Sequence, residues 1–546
     1  MSEQFDYIII GAGSAGCILA NRLTADRSRS VCLIEAGPPD WNPYIHIPAG
    51  FIKTLTNPKI NWMYQAEPSH WTGGRIIDVP RGKTLGGSSS INGHIYNRGQ
   101  RMDFDSWSQR GNRGWGYADV LPYFRRSEQR IGDGDDTFRG RTGNLAVTDL
   151  DYRHPLCEIF MDGATELGIP RNADYNGAHQ EGISYVQRTA RGRRRVSTAT
   201  AFLNPAKSRS NLMVRTHAQA TRILLEGRHA VGVEYKRRGR DGKTVRIIAN
   251  REVIVSGGAI NSPQLLQLSG IGPAPLLRSL GIEVVHELAG VGENLRDHFA
   301  PRFSARVKNV ETINERARGF NMVGEIAKYL VGAKSIVALS PSMVYGFWHS
   351  DARARGNDLQ FLFTPASYKQ GVHGLLNDHP GFTVAAWQHR PRSKGWVRAR
   401  SADPFEKPII QPNYLDDEED RRLVVSAMKL ARRLMHTDAM KPYVEAEEYP
   451  GDSFQTDAEL LEAARQYGNT TYHLMGTCRM GPDTDPTAVV DDRLRVRGMT
   501  GLRVIDASIM PIMVSANLNA ATMMIGEKGA DMVLDAPALE AIIVAE

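Results

Sequence analysis

What this sequence has little of narrows its class before any motif is considered. It contains four cysteines, Cys17, Cys32, Cys157 and Cys478. None makes a CxxC pair or a metal-ligand spacing, so neither a disulfide framework nor a metal site is expected, and the usage suits a reducing compartment. Cys17 and Cys32 fall in apolar runs and read as small buried side chains. No unbroken run of about 18 apolar residues occurs, which argues against a transmembrane helix. The opening MSEQF runs straight into a strand-like segment with no space for a secretory signal. A cytoplasmic location is therefore expected, with peripheral contact at the inner face of the membrane left open. Fixed-period repeats and low-complexity stretches are missing too, which excludes collagen-like and disordered chains. Charge of one sign is also scarce: 67 Lys and Arg face 60 Asp and Glu, a net of +7. The basic clusters Arg191 to Arg195 and Lys236 to Arg240 sit in no nucleic-acid reading module, so no nucleic-acid partner is expected. They read as solvated surface, with an anionic partner or membrane surface as the alternative.

The 546 residues amount to about two to four domains' worth of chain, fewer if large domains interleave. The first 36 residues are the most informative. Asp6 to Ile10 is a β-branched run suited to a buried parallel strand, and Gly11, Gly13 and Gly16 follow directly. Helical periodicity covers Cys17 to Leu23, and a second strand, Ser30 to Ile34, ends at Glu35. In such a βαβ unit the first glycine makes the tight turn and the second admits a pyrophosphate. The third lets helix pack on strand. The helix N-terminus offers free N–H groups to phosphate, and Glu35 can accept from ribose hydroxyls. An ADP-containing dinucleotide follows. Glu35 would repel the extra phosphate of NADP, but NAD and FAD stay undecided on this unit alone.

Further on, Leu212 to Arg215, Ala230 to Tyr235, Val245 to Ala249 and Arg251 to Val255 read as strands. Residues 416 to 440, 457 to 467 and Thr522 to Leu534 read as helices, and Leu502 to Ile505 as a late buried strand before Asp506. Nucleotide-binding signals recur from start to finish, so the domains interleave.

Four later segments carry a family resemblance. Arg81-Gly-Lys-Thr-Leu85-Gly86-Gly87-Ser88-Ser89-Ser90-Ile91-Asn92 and Gly258 to Gly272 resemble the two signatures of the glucose–methanol–choline (GMC) oxidoreductases. Val291 to His298 and Arg503 to Pro511 resemble further recurrent segments of that family. The resemblance implies an α/β fold: a Rossmann-like FAD-binding domain (1–155, 197–300 and 468–546) interleaved with a substrate domain (156–196 and 301–467). The substrate domain would be built on an antiparallel sheet with flanking helices. It implies FAD contacts from Gly11, Gly13, Ser14, Ala15, Gly16, Glu35, Ala36, Arg81, Leu85, Gly86, Gly87, Ser88, Asn92 and Gly93. At the far end of the chain it implies contacts from Asp506, Ala507, Asn519 and Ala520. Some relatives bind FAD covalently through a histidine after the Gly-Ser-Ser-Ser run. Ile91 stands there, and His94 lies three residues off the pattern, so non-covalent FAD is expected.

Tyr472-His473-Leu474-Met-Gly476-Thr477 matches the family's catalytic histidine, with Leu474 where many relatives have proline. Similarity puts the partner position, a histidine or asparagine, at Asn519, with Asn517 as rival or as the cap of the following helix. Histidine titrates near pH ~6.5 and suits a general base, while an amide N–H can steady a developing alkoxide. The activity implied is FAD-dependent oxidation of a primary alcohol or polyol, as dehydrogenase or oxidase, with a quinone, a dye or O2 as acceptor. Choline is the runner-up. It needs aromatic faces plus a carboxylate, for which Tyr472 and Trp62 offer walls but no acid is evident. A non-redox FAD-dependent lyase, a flavin-binding protein without turnover and a nicotinamide dehydrogenase are the other classes considered.

Overall fold

The computed structural model describes residues 3–351, 356–369 and 374–544. Tyr7 to Ile10 and Val31–Ile34 are buried on both faces, as strands inside a parallel sheet must be. They form the centre of a seven-stranded sheet in which six strands run in the order Leu212–Arg215, Val31–Ile34, Glu3–Ile10, Thr244–Val255, His229–Arg237, Ala218–Glu226, and the seventh, Leu502–Val504, pairs with Thr244–Val255 off this path. The pairs around Glu3–Ile10 are parallel, and the last three strands of that order form an antiparallel meander.

The two strands expected at Val245 to Ala249 and Arg251 to Val255 are one 12-residue strand, Thr244–Val255. Its first half pairs with His229–Arg237, and its last three residues pair in parallel with Leu502–Val504. The late segment is thereby brought to the same sheet edge as the opening glycine turn.

A second, six-stranded sheet is antiparallel, ordered Val444–Tyr449, Arg302–Val307, Gly381–Gln388, Leu359–Thr364, Val344–Trp348, Gly182–Tyr185. Helices Glu418–Met435 and Pro155–Glu166 pack against it. Each sheet anchors its own large apolar cluster. This is the α/β architecture expected, with a mixed sheet of parallel nucleotide-type core interleaved with an antiparallel one.

The helix at the end of the chain is Leu518–Val533, starting four residues before the expected Thr522. It lies across helix Ser14–Leu23, with Gly526 so close that a Cβ there would stand 3.0 Å from Ala15 Cα. The approach sets the N-terminus of the last helix beside that of the first. All four cysteines are buried and unpaired. Among the described residues no helix is long and apolar enough to cross a membrane.

Candidate active site

One cavity of about 900 Å³ runs from the Gly11–Ala15 turn to the antiparallel sheet. Gly11 takes φ +103°, and a Cβ there would lie 2.4 Å from the Ser256 carbonyl oxygen, so only glycine fits. Gly13 differs: nothing in the protein lies within 4 Å of where its Cβ would be, and it lines the cavity. Its bareness serves whatever occupies the cavity. Glu35 is buried, accepting from Ala12 N at 3.0 Å and Gly37 N at 2.9 Å. Burial pushes its carboxyl up to about 7, against the pull of those N–H groups.

Most of the residues expected at the cofactor line this cavity: Gly11, Gly13, Ser14, Ala15, Glu35, Ala36, Arg81, Gly87, Ser88, Asn92, Gly93, Asp506, Ala507 and Asn519. Gly16, Leu85, Gly86 and Ala520 do not. Gly16 packs on the Gly11 carbonyl and Ala520 is buried in the last helix. Gly86 donates to Ala12 O at 2.7 Å, and Leu85 O accepts from Ser90 Oγ at 2.7 Å. These four build the wall from behind. Asp506 caps the short Ala507–Ile509 turn through Ser508 N and also accepts from Gly258 N and Ser262 Oγ. It ties the second signature to the late segment. Arg81 leaves Nη2 buried and unpartnered among the described residues. An open glycine turn at a helix N-terminus, a buried acid and an orphaned guanidinium nitrogen together fit an elongated, phosphate-bearing dinucleotide.

His473 is half-buried on the wall between this groove and the antiparallel sheet. Its loop is held by the buried Asp297. One carboxylate oxygen accepts from His473 N at 2.7 Å, and the other accepts from Tyr414 OH at 2.6 Å and from Thr470 Oγ1. Tyr472 sits at φ +69°, a strained conformation clamped by Thr470 Oγ1 on its N–H and Arg81 on its carbonyl.

The imidazole's two nitrogens have distinct surroundings. His298 Nε2 faces the His389 carbonyl at 2.7 Å, and a carbonyl only accepts, so that nitrogen carries a proton. Burial pushes His298 down to about 4, so it is neutral and its Nδ1 is a lone pair. That lone pair lies 2.9 Å from His473 Nδ1, which must therefore be the protonated nitrogen. His473 Nε2 is left unprotonated and accepts from the Asn517 amide nitrogen at 3.0 Å. Burial, then His298 and the Arg81 charge, hold His473 well below the ordinary histidine value.

Here the geometry departs from expectation. Asn519, expected beside the histidine, instead accepts from Ser14 Oγ at 2.6 Å, toward the glycine turn. Asn517 is the N-cap of the last helix, yet its side chain makes no capping bond and turns to His473. The expected helix start was too late. With the true start at Leu518, residue 519 falls inside the first turn and faces the other helix. The role of His298 was not foreseen, because no local pattern links it to a residue 175 positions away. His94 is fully buried beside Arg195 and Arg188. Among the described residues no cluster of three or more His, Cys, Asp or Glu is placed to hold a metal.

Comparison with known proteins decides the family. The GMC oxidoreductase family matches with its N-terminal domain over residues 5–300 and its C-terminal domain over 391–526. The chain is a GMC oxidoreductase. It is 40% identical over 535 residues to the "Alcohol dehydrogenase [acceptor]" of Pseudomonas putida, covering 97% of this chain and 96% of that one. It is 41% identical over 542 residues to the oxygen-dependent choline dehydrogenase of Escherichia coli O139:H28, covering 98% and 96%. Pyridoxine 4-oxidase from Mesorbium loti superposes with a TM-score of 0.86 at 29% identity, over 96% of this chain and 98% of that one. Formate oxidase superposes at 0.88 with 26% identity, over 98% of each chain. As a GMC oxidoreductase the chain is a flavoprotein of the FAD-dependent class that acts on alcohols, and both His473 and Asn517 line the cavity.

Proposed function

We propose that this GMC oxidoreductase oxidises an uncharged primary alcohol or polyol to the aldehyde or ketone, with His473 as base and Asn517 as its partner. The observation that carries the reading is the His473 Nε2–Asn517 pair on the cavity wall. Bound FAD supplies the acceptor for the two electrons and the α-hydrogen that no side chain can take. Gly11 to Ala15, Glu35, Asp506 and the Gly87–Ser88 turn would hold it. Ile91 is buried against Ile45 and Ile60, so the chain offers no covalent attachment at that position.

A substrate hydroxyl that replaces the His473–Asn517 hydrogen bond would give its proton to Nε2 while the freed Asn517 amide donates to the oxygen as charge builds. His298 accepts from the opposite nitrogen and spreads the positive charge that His473 gains. Asp297 and Arg81 hold the loop, so little reorganisation is needed.

The cavity beside this pair favours an uncharged substrate. Its wall is Ala300, Leu362, Ala385 and Trp387, with Tyr345 OH 3.4 Å from Asn517. Glu448, the cavity-lining acid on the antiparallel sheet, is engaged by Arg306 and His379. Among the described residues a quaternary ammonium would find aromatic faces, the engaged Glu448 and the cavity-lining Asp78, which accepts from Gln65 Nε2 at 2.9 Å. Choline remains the second reading because curated relatives at 40–41% identity are named choline dehydrogenases. For the acceptor we favour a quinone-type or dye acceptor over O2, in line with the acceptor-dependent name of the P. putida relative.

Anaerobic titration of the purified holoprotein with aliphatic alcohols, polyols and choline tests this reading. Bleaching of the flavin band by an uncharged alcohol at lower concentration than by choline is expected. Bleaching by choline alone would overturn the substrate assignment, and no bleaching by any alcohol would leave the lyase reading in its place.

A further inference from the structure

Helix Gly319–Leu330 is amphipathic in the opposite sense from a core-packing helix. Phe320, Val323, Ala327 and Leu330 recur at i, i+3, i+7 and i+10, the stripe that normally faces a core. Here the stripe faces outward: Phe320 is 94% exposed, Val323 63%, Leu330 66% and the adjoining Val331 81%. The helix is held on its inner side by Met322, which packs against the second apolar cluster, and by polar contacts. Glu325, its single acid, is buried, accepting from Ile336 N at 2.9 Å and pairing with Lys328 at 2.8 Å. The exposed stripe therefore contributes nothing to holding the helix, and so much contiguous apolar surface marks a contact site.

Cations and aromatics adjoin this stripe. The hairpin of Ala190–Arg191 and Arg194–Arg195 lies at the C-terminal end of the helix, where Arg193 donates to the Tyr329 and Leu330 carbonyls. Among the described residues no carboxylate pairs with Arg193, Arg194 or Lys334, and Arg193, Arg194 and Lys334 are all exposed. The short helix Pro43–His46 packs on that hairpin and carries Tyr44, 45% exposed, next to Trp41, 82% exposed. An apolar stripe, unpaired cations and exposed aromatics without an exposed acid on the helix match the charge and polarity of an anionic lipid surface.

We propose that helix Gly319–Leu330, the Arg191–Arg194 hairpin and Trp41 form a docking surface for an anionic phospholipid bilayer. The turn Pro48–Gly50 links this face to the cavity. It packs on Ile336–Ala338, which packs on the helix, and Phe51, Ile52 and Leu55 just after it line the cavity. Docking would set the site close to lipid-soluble molecules, and it holds whichever alcohol is oxidised.

The test is co-sedimentation of the purified holoprotein with vesicles of phosphatidylcholine alone and of phosphatidylcholine mixed with phosphatidylglycerol. Wild type is expected to sediment with the mixed vesicles, less so at high salt. Phe320→Asp is expected to weaken binding about tenfold or more, the effect of one large apolar side chain. Arg193→Gln with Arg194→Gln is expected to weaken it on the order of tenfold on mixed vesicles only. Should Phe320→Asp fold poorly, Val331→Asp carries the same test, with melting temperature and dye-coupled turnover equal to wild type as the control. Failure of wild type to sediment with mixed vesicles overturns the proposal, as does unchanged binding by the variants. Light scattering that shows the variants splitting a dimer while vesicle binding persists would assign the face to a second copy of the chain, and the lipid proposal would fall.

Discussion

Replacing His298 by alanine tests the proton arrangement of the site most directly. In the intact site the His389 carbonyl fixes the His298 tautomer, and His298 fixes that of His473 through a 2.9 Å contact. Without the His298 ring, His473 Nδ1 keeps only Thr471 Oγ1, at 2.8 Å. That hydroxyl can donate as well as accept, so it does not enforce one tautomer. The contact also strengthens when His473 takes the substrate proton and becomes cationic. A hydrogen bond to a charged group is worth about 1.5–3 kcal/mol. The same bond is worth about 1 kcal/mol when His473 is neutral, so the increment of roughly 0.5–2 kcal/mol, at about 1.4 kcal/mol per decade, should slow flavin reduction roughly 2- to 30-fold. That is less than the roughly 10²–10⁴-fold expected for loss of the base itself in His473→Ala. Anaerobic stopped-flow at saturating alcohol reads this step directly. His298→Gln, whose amide oxygen can accept from Nδ1, should recover part of the loss, which a merely structural role would not produce. Wild-type reduction rates in His298→Ala across the pH range would refute the tautomer argument.

Further outcomes follow from the structure. Asn517→Ala should lower kcat about 10²–10³-fold, the cost of losing one transition-state donor. Asn519→Ala should chiefly weaken flavin retention, measured by dialysis, because its partner is Ser14 at the glycine turn. His298, pushed down to about 4, and His473, held well below its ordinary value, are neutral in the fold, whereas unfolded histidine protonates below pH ~6.5. Their contribution to stability is therefore full above that pH and is lost as pH falls toward 4, seen as a declining melting temperature. For the same reason the acid limb of kcat/KM should lie well below pH 6.5. Acid or heat precipitation should release the yellow flavin into the supernatant, since Ile91 cannot bond it; colour retained on the pellet would contradict non-covalent binding.

Much of the cofactor half was legible because its signals are local. Strand, glycine turn, helix, strand and acid occupy one short βαβ unit, and each residue type answers a steric or electrostatic need within it. A helix over Cys17 to Leu23 and strands over Asp6 to Ile10 and Ser30 to Ile34 follow from periodicity alone, and the structure extends the helix back to Ser14 and the first strand back to Glu3. The late Leu502–Val504 strand was also readable, although only pairing with Thr244–Val255 shows that it joins the same sheet.

The amino-acid order by itself determined the nucleotide unit, the candidate catalytic histidine and the family, since these rest on contiguous spacing and residue type. The tertiary structure decided which asparagine meets His473, which of its nitrogens is unprotonated and which residue sets that choice. Those facts depend on the exit angle of the Leu518–Val533 helix from its cap and on contacts between residues far apart in the chain. They also depend on the direction in which the apolar stripe of the Gly319–Leu330 helix faces. Periodicity shows that such a stripe exists, but whether it meets core or solvent is set by what the rest of the chain packs against it.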